Sequence, residues 1–237
     1  VDAPLPLLSA SAEPWLQYRI RLGHFQNLLF DWSHRADTCG QQSVSQLGIT
    51  GSHAAKVHGF SSSSVSTVRA ILARLPIEHG EWVFADLGSG KGRTLLLAAA
   101  YPFKRVVGIE HAASLVAISR ANLRTYVGKT ICLNVEILAD DALSYEPPAD
   151  ENLLVYLFNP FSADLIVRCI DRLATAPLNR GKRRMVCFVQ QSTQLAPRIE
   201  LVRLCTAVRP VALGPLPFDW LSHPQLEASL FDVLPTG

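Results

Sequence analysis

Residues 86–94 read DLGSGKGRT, and what this stretch holds decides how the rest of the chain is read. Gly88, Gly90 and Gly92 follow the apolar run WVFADLG (82–88) and open KGRTLLLAAAY (91–101), which has a helical pattern. A phosphate cradle of the Walker kind requires G-x-x-x-x-G-K-[ST]. Lys91 does follow Gly90, but Gly92 stands where the magnesium-binding hydroxyl belongs and Ala85 takes the place of the first glycine. A dinucleotide fingerprint requires G-x-G-x-x-G. Gly88 and Gly90 fit it, whereas Arg93 holds the third position with Gly92 one step early. The Arg93 side chain is expected to crowd the helix–strand contact that a third glycine permits. Asp86 adds an electrostatic objection, because a carboxylate beside the loop repels a pyrophosphate and favours a cation. A plain left-handed turn needs fewer glycines than these three and no acid.

Outward from the loop the chain alternates between two periods. RVVGIE (105–110), NVEILADD (134–141), NLLVYLFNP (152–160) and RMVCFVQQ (184–191) read as strands. AASLVAISRANLRTY (112–126) and SADLIVRCIDRLA (162–174) read as helices, the second with Ser162 as its cap. Near-continuous apolar strands separated by helices predict a parallel sheet covered on both faces. ELVRLCTAV (200–208) and EASLFDVL (227–234) predict two further strands joined by a Pro-rich turn, an antiparallel pair that closes the sheet. Upstream, SSSSVSTVRAILARLP (61–76) predicts a helix with N-cap oxygens from Ser61 to Ser64 and Pro76 as its stop. Between Glu13 and Trp32, the residues Tyr18, Leu22, Phe25, Leu29 and Trp32 share one helical face, for which core packing is the expectation, Trp15 included; the alternative is a lid over a substrate cavity. Residues 33–60 lose the pattern and predict a long connection of the kind that acts as a lid or binding segment.

Composition narrows the classes. Apolar residues make up 49% of the 237, enough for a substantial core, and the net charge of +2 gives no signal of nucleic-acid binding, although it does not exclude it. No apolar run is long enough to span a bilayer, and the start has neither the basic leader nor the apolar centre of a signal peptide. The chain begins at Val1 and its single methionine is Met185, so a trimmed start is expected. Five scattered cysteines, without a C-x-x-C pair, predict reduced packing residues of a cytoplasmic protein rather than disulfides or zinc ligands. His53 and His58 are expected to be solvated or capping groups, and Arg180, Lys182, Arg183 and Arg184 a solvated loop.

An acid at a strand end followed by G-x-G-x-G resembles the first motif of the class I S-adenosylmethionine-dependent methyltransferases. The likeness runs from Phe30-Asp31 through FSSSSVSTVRAILARL and DLGSGKGR to YLFNPF, over about residues 25–192, and is strongest to uncharacterised bacterial methyltransferase-like proteins. It implies a Rossmann-like doubly wound α/β sheet, mostly parallel with an antiparallel C-terminal strand. A helical cap over residues 1–60 would precede a methyltransferase domain over 61–237. It implies S-adenosyl-L-methionine as cofactor, whose ammonium and sulfonium suit an acidic loop. Asp86, Gly88, Ser89, Gly90 and Gly92 would hold the amino-acid portion, with Glu110 on the ribose hydroxyls and His111 beside them. Asp141 and Ala142 would meet the adenine, with Asp140 as the rival of Asp141 and a helix N-cap as the other use of that acid.

Asn159, Pro160 and Phe161 would face the transferred methyl group, Asn159 reaching both cofactor and acceptor. Methylases of planar amines commonly carry Asn-Pro-Pro-aromatic there, and this chain is one proline short. The acceptor is therefore left as a small molecule or a protein side chain, with a nucleic-acid base still open. No metal is implied. Two other readings remain: an NAD(P)-dependent oxidoreductase and a non-catalytic scaffold that binds the cofactor.

Overall fold

A computed structural model describes residues 14–48, 59–158, 162–191, 205–213 and 226–236. Helix α1 (Pro14–His34) leads to a short ribbon in which β1 (Gln41–Gln42) pairs antiparallel with β2 (Phe60–Ser61). The connection expected over 33–60 thus contains paired backbone at both ends. Then follow α2 (Val65–Leu72), β3 (Trp82–Leu87), α3 (Arg93–Ala98), β4 (Arg105–Glu110), α4 (Ala113–Thr125) and β5 (Val135–Ala139). The chain continues through β6 (Asn152–Phe158), α5 (Ala163–Thr175), β7 (Arg184–Gln191), β8 (Val208–Val211) and β9 (Leu226–Val233).

Seven strands form one sheet in the order β5-β4-β3-β6-β7-β9-β8. Strands β3 to β7 are parallel, and β9 runs antiparallel to both β7 and β8. The fold is therefore Rossmann-like α/β, with the antiparallel C-terminal strand that the sequence predicts. Strand β8 begins at Val208, where the expected strand over 200–208 ends; Cys205 to Ala207 form a turn into it, and residues 201–204 lie outside the described residues.

The sheet separates two apolar layers. Trp82, Phe84, Tyr156, Met185 and Cys187 face α2, α3 and α4, where Val68, Leu72, Leu95 and Val116 complete a buried cluster that Phe30 of α1 also joins. Val83, Ala85, Val155, Val186 and Phe188 face the opposite way, onto Ile166, Cys169 and Ile170 of α5. All six residues of β3 are buried, as a central strand covered on both faces requires.

Several local expectations change. The shared face of α1 turns outward: Phe25 is 63% exposed and Trp32 81%, while Arg19, Phe30 and Asp31 are buried. Apolar spacing alone does not fix helix rotation here. The Asp31 carboxylate accepts hydrogen bonds from the backbone N–H of Thr38 and Cys39, each at 2.7 Å, and from the Thr38 hydroxyl. That network, with Phe30 in the core, sets which side faces in. Nothing is described of the Trp15 side chain.

Ser64 is the N-cap residue of α2 but its side chain makes no capping bond. The Asn27 amide oxygen of α1 accepts from Val65 N instead, at 3.1 Å. Ser162 likewise sits at the N-cap of α5 with its hydroxyl bonded to Asp164 rather than to the helix backbone.

Arg184 is not in a solvated loop. It is 1% exposed in β7 and donates to the carbonyls of Leu173, Ala176, Pro148 and Pro177. Its neighbour Arg183 is paired with Asp232 at 2.6 Å. All five cysteines are free, Cys132, Cys169 and Cys187 buried and Cys39 and Cys205 half-buried. His53 and His58 lie outside the described residues.

Candidate functional site

Because β3 to β7 are parallel, Asp86, Glu110 and Asp140 stand at or just beyond the carboxyl ends of three adjacent strands. Between β3 and β6 the strand order reverses direction, and ligands of open α/β sheets bind at that switch point. The glycine loop lies there, between β3 and α3.

Within the loop the backbone donors are already committed. Gly88 N and Ser89 N both donate to Ile109 O, at 2.9 and 3.0 Å, and Gly92 N donates to Ser89 O at 2.9 Å. Gly90 N donates to the Glu110 Oε2 at 2.9 Å. Those four amides are turned into the protein, which takes them out of the donor set that a phosphate loop would use.

Gly92 takes the left-handed conformation at φ 83°, and a Cβ on it would run into the Ser119 hydroxyl. A Cβ on Gly90 would lie 2.5 Å from the Phe60 ring. Close approach at Gly92 thus serves α3 against α4, and at Gly90 it serves the β1–β2 ribbon.

Two carboxyls dominate the electrostatics. Asp86 is 3% exposed, and burial pushes it up to about 8. The Thr94 hydroxyl partly offsets that rise and the nearby Glu110 charge adds to it. Glu110 is also raised by burial, against hydrogen bonds from the backbone of Ala112 (2.8 Å), Gly90 and His111. Two adjacent buried acids, neither of them in an ion pair among the described residues, form a site that favours a positively charged ligand. Between the loop, Asp86, Ser63 and Phe60 lies a pocket of about 30 Å³, room for a compact polar group. The Ser89 hydroxyl is buried without a hydrogen-bond partner.

Lys91 and Arg93 behave as neither phosphate ligands nor obstacles. The Lys91 ammonium donates to Asp37 Oδ1 at 2.7 Å and to Cys39 O at 2.8 Å. Arg93 does not crowd the helix–strand contact. It is 3% exposed and turns toward the N-terminal segment, donating to the Thr38 hydroxyl (2.7 Å), Ser63 O (2.9 Å) and Cys39 Sγ (2.9 Å). Asn122 of α4 closes the arrangement by donating to Lys91 O and Asp37 O.

Spacing gave no sign of this junction, because its partners lie 30 to 85 residues apart. Tyr156 is a second unforeseen member. It sits opposite Asp86 in the β3–β6 register, fully buried, and its hydroxyl bonds the Ser63 hydroxyl at 3.2 Å. Its signal in the sequence was the one polar ring in the run NLLVYLF.

Asp141 caps a single 3-10 turn: its Oδ1 accepts Leu143 N at 2.9 Å. Asp140 accepts Asp141 N at 2.7 Å and is exposed, whereas Ala142 is buried. His111 is exposed at the end of β4. Phe158 lines the pocket at the end of β6, and Asn159, Pro160 and Phe161 lie outside the described residues. No helix among the described residues is long and apolar enough to cross a membrane.

The chain is similar in structure to several solved proteins at low identity. One is an RNA methyltransferase from Salinibacter ruber in complex with S-adenosyl-L-homocysteine, at 18% identity and TM-score 0.45, with 74% of this chain and 95% of that one covered. Another is precorrin-6y C5,15-methyltransferase from Geobacter metallireducens, at 15% identity and TM-score 0.49, covering 73% and 90%. A third is a ribosomal protein L11 methylase from Lactobacillus delbrueckii subsp. bulgaricus, at 14% identity and TM-score 0.48, covering 71% and 79%. No protein-family model matches the sequence, and no curated protein matches it.

Proposed function

We propose that this chain is an S-adenosyl-L-methionine-dependent methyltransferase. The observation that carries the reading is the pair of buried carboxyls, Asp86 and Glu110, at the switch point of the sheet beside a loop whose four glycine and serine amides are turned into the protein. The residues fit the group. Asp86 supplies negative charge for an ammonium, and the unpartnered Ser89 hydroxyl supplies a further polar contact. Glu110 accepts from Gly90 N, Ala112 N and the His111 backbone, and a carboxylate with about four acceptor sites then keeps one for a ribose hydroxyl. Asp141 with Ala142, and His111, are assigned to the adenine and ribose side.

When bound, the group supplies an electrophilic methyl on a sulfonium. This chain's part is positioning: the strand ends hold the donor, and Asn159-Pro160-Phe161 orient the acceptor in line with it. Residues 1–60 serve as the cap on a catalytic domain of 61–237. The acceptor is assigned to amines of a small molecule or a protein side chain. An NAD(P)-dependent oxidoreductase is disfavoured by the committed loop amides and by the two acids.

Labelled methyl transfer from S-adenosylmethionine into fractionated cell lysate tests the reading. Label should enter one acceptor fraction, and Asn159→Ala should retain donor binding while losing turnover. Donor binding with no transfer into any fraction would instead indicate a non-catalytic scaffold.

A further inference from the structure

At the amino ends of β4 and β5, the opposite end of the strands from the glycine loop, lies a second cavity, of about 760 Å³. Its walls are the later part of α2, the end of α3, and the segments leading into β4 and β5, with Gln26 and His34 of α1. It shares no lining residue with the pocket beside Asp86. Cavities of roughly 300–1,000 Å³ are those that enclose small organic ligands.

Its chemistry is one-sided. Arg69, Arg74 and Lys129 line it, and among the described residues no carboxylate does. Among the described residues none of the three forms an ion pair. Arg69 lies over the Phe30 ring at 5.8 Å, and Arg74 donates only to Ala70 O of its own helix at 3.3 Å. The half-buried rings of Tyr101 and Tyr126 also line it, the first stacked by one face on His79 (centroids 4.9 Å apart) and the second on His34 (5.6 Å). The Gln26 amide oxygen is buried there without a hydrogen-bond partner. With a net charge of only +2, the chain has no general basic surface of which this cluster would be a sample.

We propose that this cavity binds a nucleotide phosphate, with the phosphate held by Arg69, Arg74 and Lys129 and the base laid against the tyrosine rings. Guanidinium forks match phosphate oxygens, and aromatic faces stack a base of any identity. A bare anion would use the cations and leave the aromatic wall uncovered. A neutral apolar ligand would leave three cations without counter-charge.

Calorimetric titration with uridine 5′-monophosphate, a short oligouridylate and inorganic phosphate tests this. Uridine is chosen because an adenine compound would also seek the proposed adenosyl site. We expect saturable binding of the uridine compounds that weakens with added salt, and phosphate binding clearly weaker than either. Arg69→Ala, and separately the exposed pair Arg74→Ser with Lys129→Ser, should each weaken it by about tenfold, the scale of one charge-assisted hydrogen bond. Because Arg69 packs on Phe30, the exposed pair keeps the test valid if Arg69→Ala unfolds. Asp86→Asn should leave this binding unchanged.

An oligomer that binds tighter than the monophosphate identifies a nucleic-acid chain as the source; equal affinities identify a free nucleotide. Absence of binding, phosphate binding as tight as the nucleotide, or affinity indifferent to both sets of substitutions would overturn the proposal. Its failure would leave the methyl-donor site untouched, since the two share no residue.

Discussion

A carboxyl at Asp86, buried against Thr94 and Glu110 and pushed up to about 8, carries a proton in the ligand-free fold at pH 7. In the unfolded chain the same group titrates near 3.8. The folded state therefore binds more protons between these values, so the Asp86 contribution lowers stability progressively as pH rises from about 4 to about 8. Thermal midpoints of the ligand-free protein across that window should fall less steeply in Asp86→Asn than in wild type; parallel slopes would mean Asp86 is ionised throughout. A cationic ligand reverses the preference and should expel the proton. Calorimetry at pH 7 in two buffers of different ionisation enthalpy should then show proton release for wild type and none for Asp86→Asn.

Arg93 makes the complementary case of a buried cation. It lies 3.6 Å from Asp31, with both side chains largely buried. Arg93→Met should cost about 3 kcal/mol in denaturant unfolding, because the buried Asp31 side chain loses its cationic neighbour. A cost near zero would show that the backbone amides of Thr38 and Cys39 hold Asp31 unaided.

Among the elements, the α3–α4 contact separates two costs at one glycine. Gly92→Ala meets both the left-handed φ of 83° and the Ser119 hydroxyl. Adding Ser119→Gly should recover the steric part and leave about 1 kcal/mol for the backbone, read from a double-mutant cycle. No recovery would mean that the conformation, not the contact, requires glycine.

Legibility also divides by element. Strands β3, β4, β6 and β7 were readable because central parallel strands are apolar along most of their length, and β5, at the sheet edge and only partly buried, because its run VEILA still stands between turn signals. The rotation of α1 was not, because Asp31 and its partners settle it across a loop, and a helix with Phe25 and Trp32 exposed has the same spacing as a buried one. Arg184 was misread for a related reason: its four carbonyl partners come from α5 and the loops around it, not from neighbours in sequence.

At the scale of the whole molecule, the carboxyl ends of the strands gather what the chain disperses. Asp86, Glu110 and the acids at 140 and 141 stand at neighbouring strand ends only because β3, β4 and β5 run the same way. Alternation of strands and helices in the sequence was enough to foresee that gathering. It could not foresee that the N-terminal segment clasps the loop through Lys91 and Arg93, nor the cationic cavity at the amino ends of β4 and β5, since both depend on how helices pack rather than on strand order. The molecule thus places an acidic site at the carboxyl ends of the strands and a basic, aromatic one at the amino ends.

The central claim concerns the acidic site at the strand ends, and titration calorimetry with S-adenosyl-L-methionine addresses it most directly. The wild-type chain should bind it saturably, with no response to NADH. Glu110→Ala should abolish that binding, and Glu110→Gln, which can still accept from Gly90 N, should weaken it without unfolding the loop. Unchanged affinity in both variants, or binding of NADH in place of S-adenosyl-L-methionine, would contradict the account.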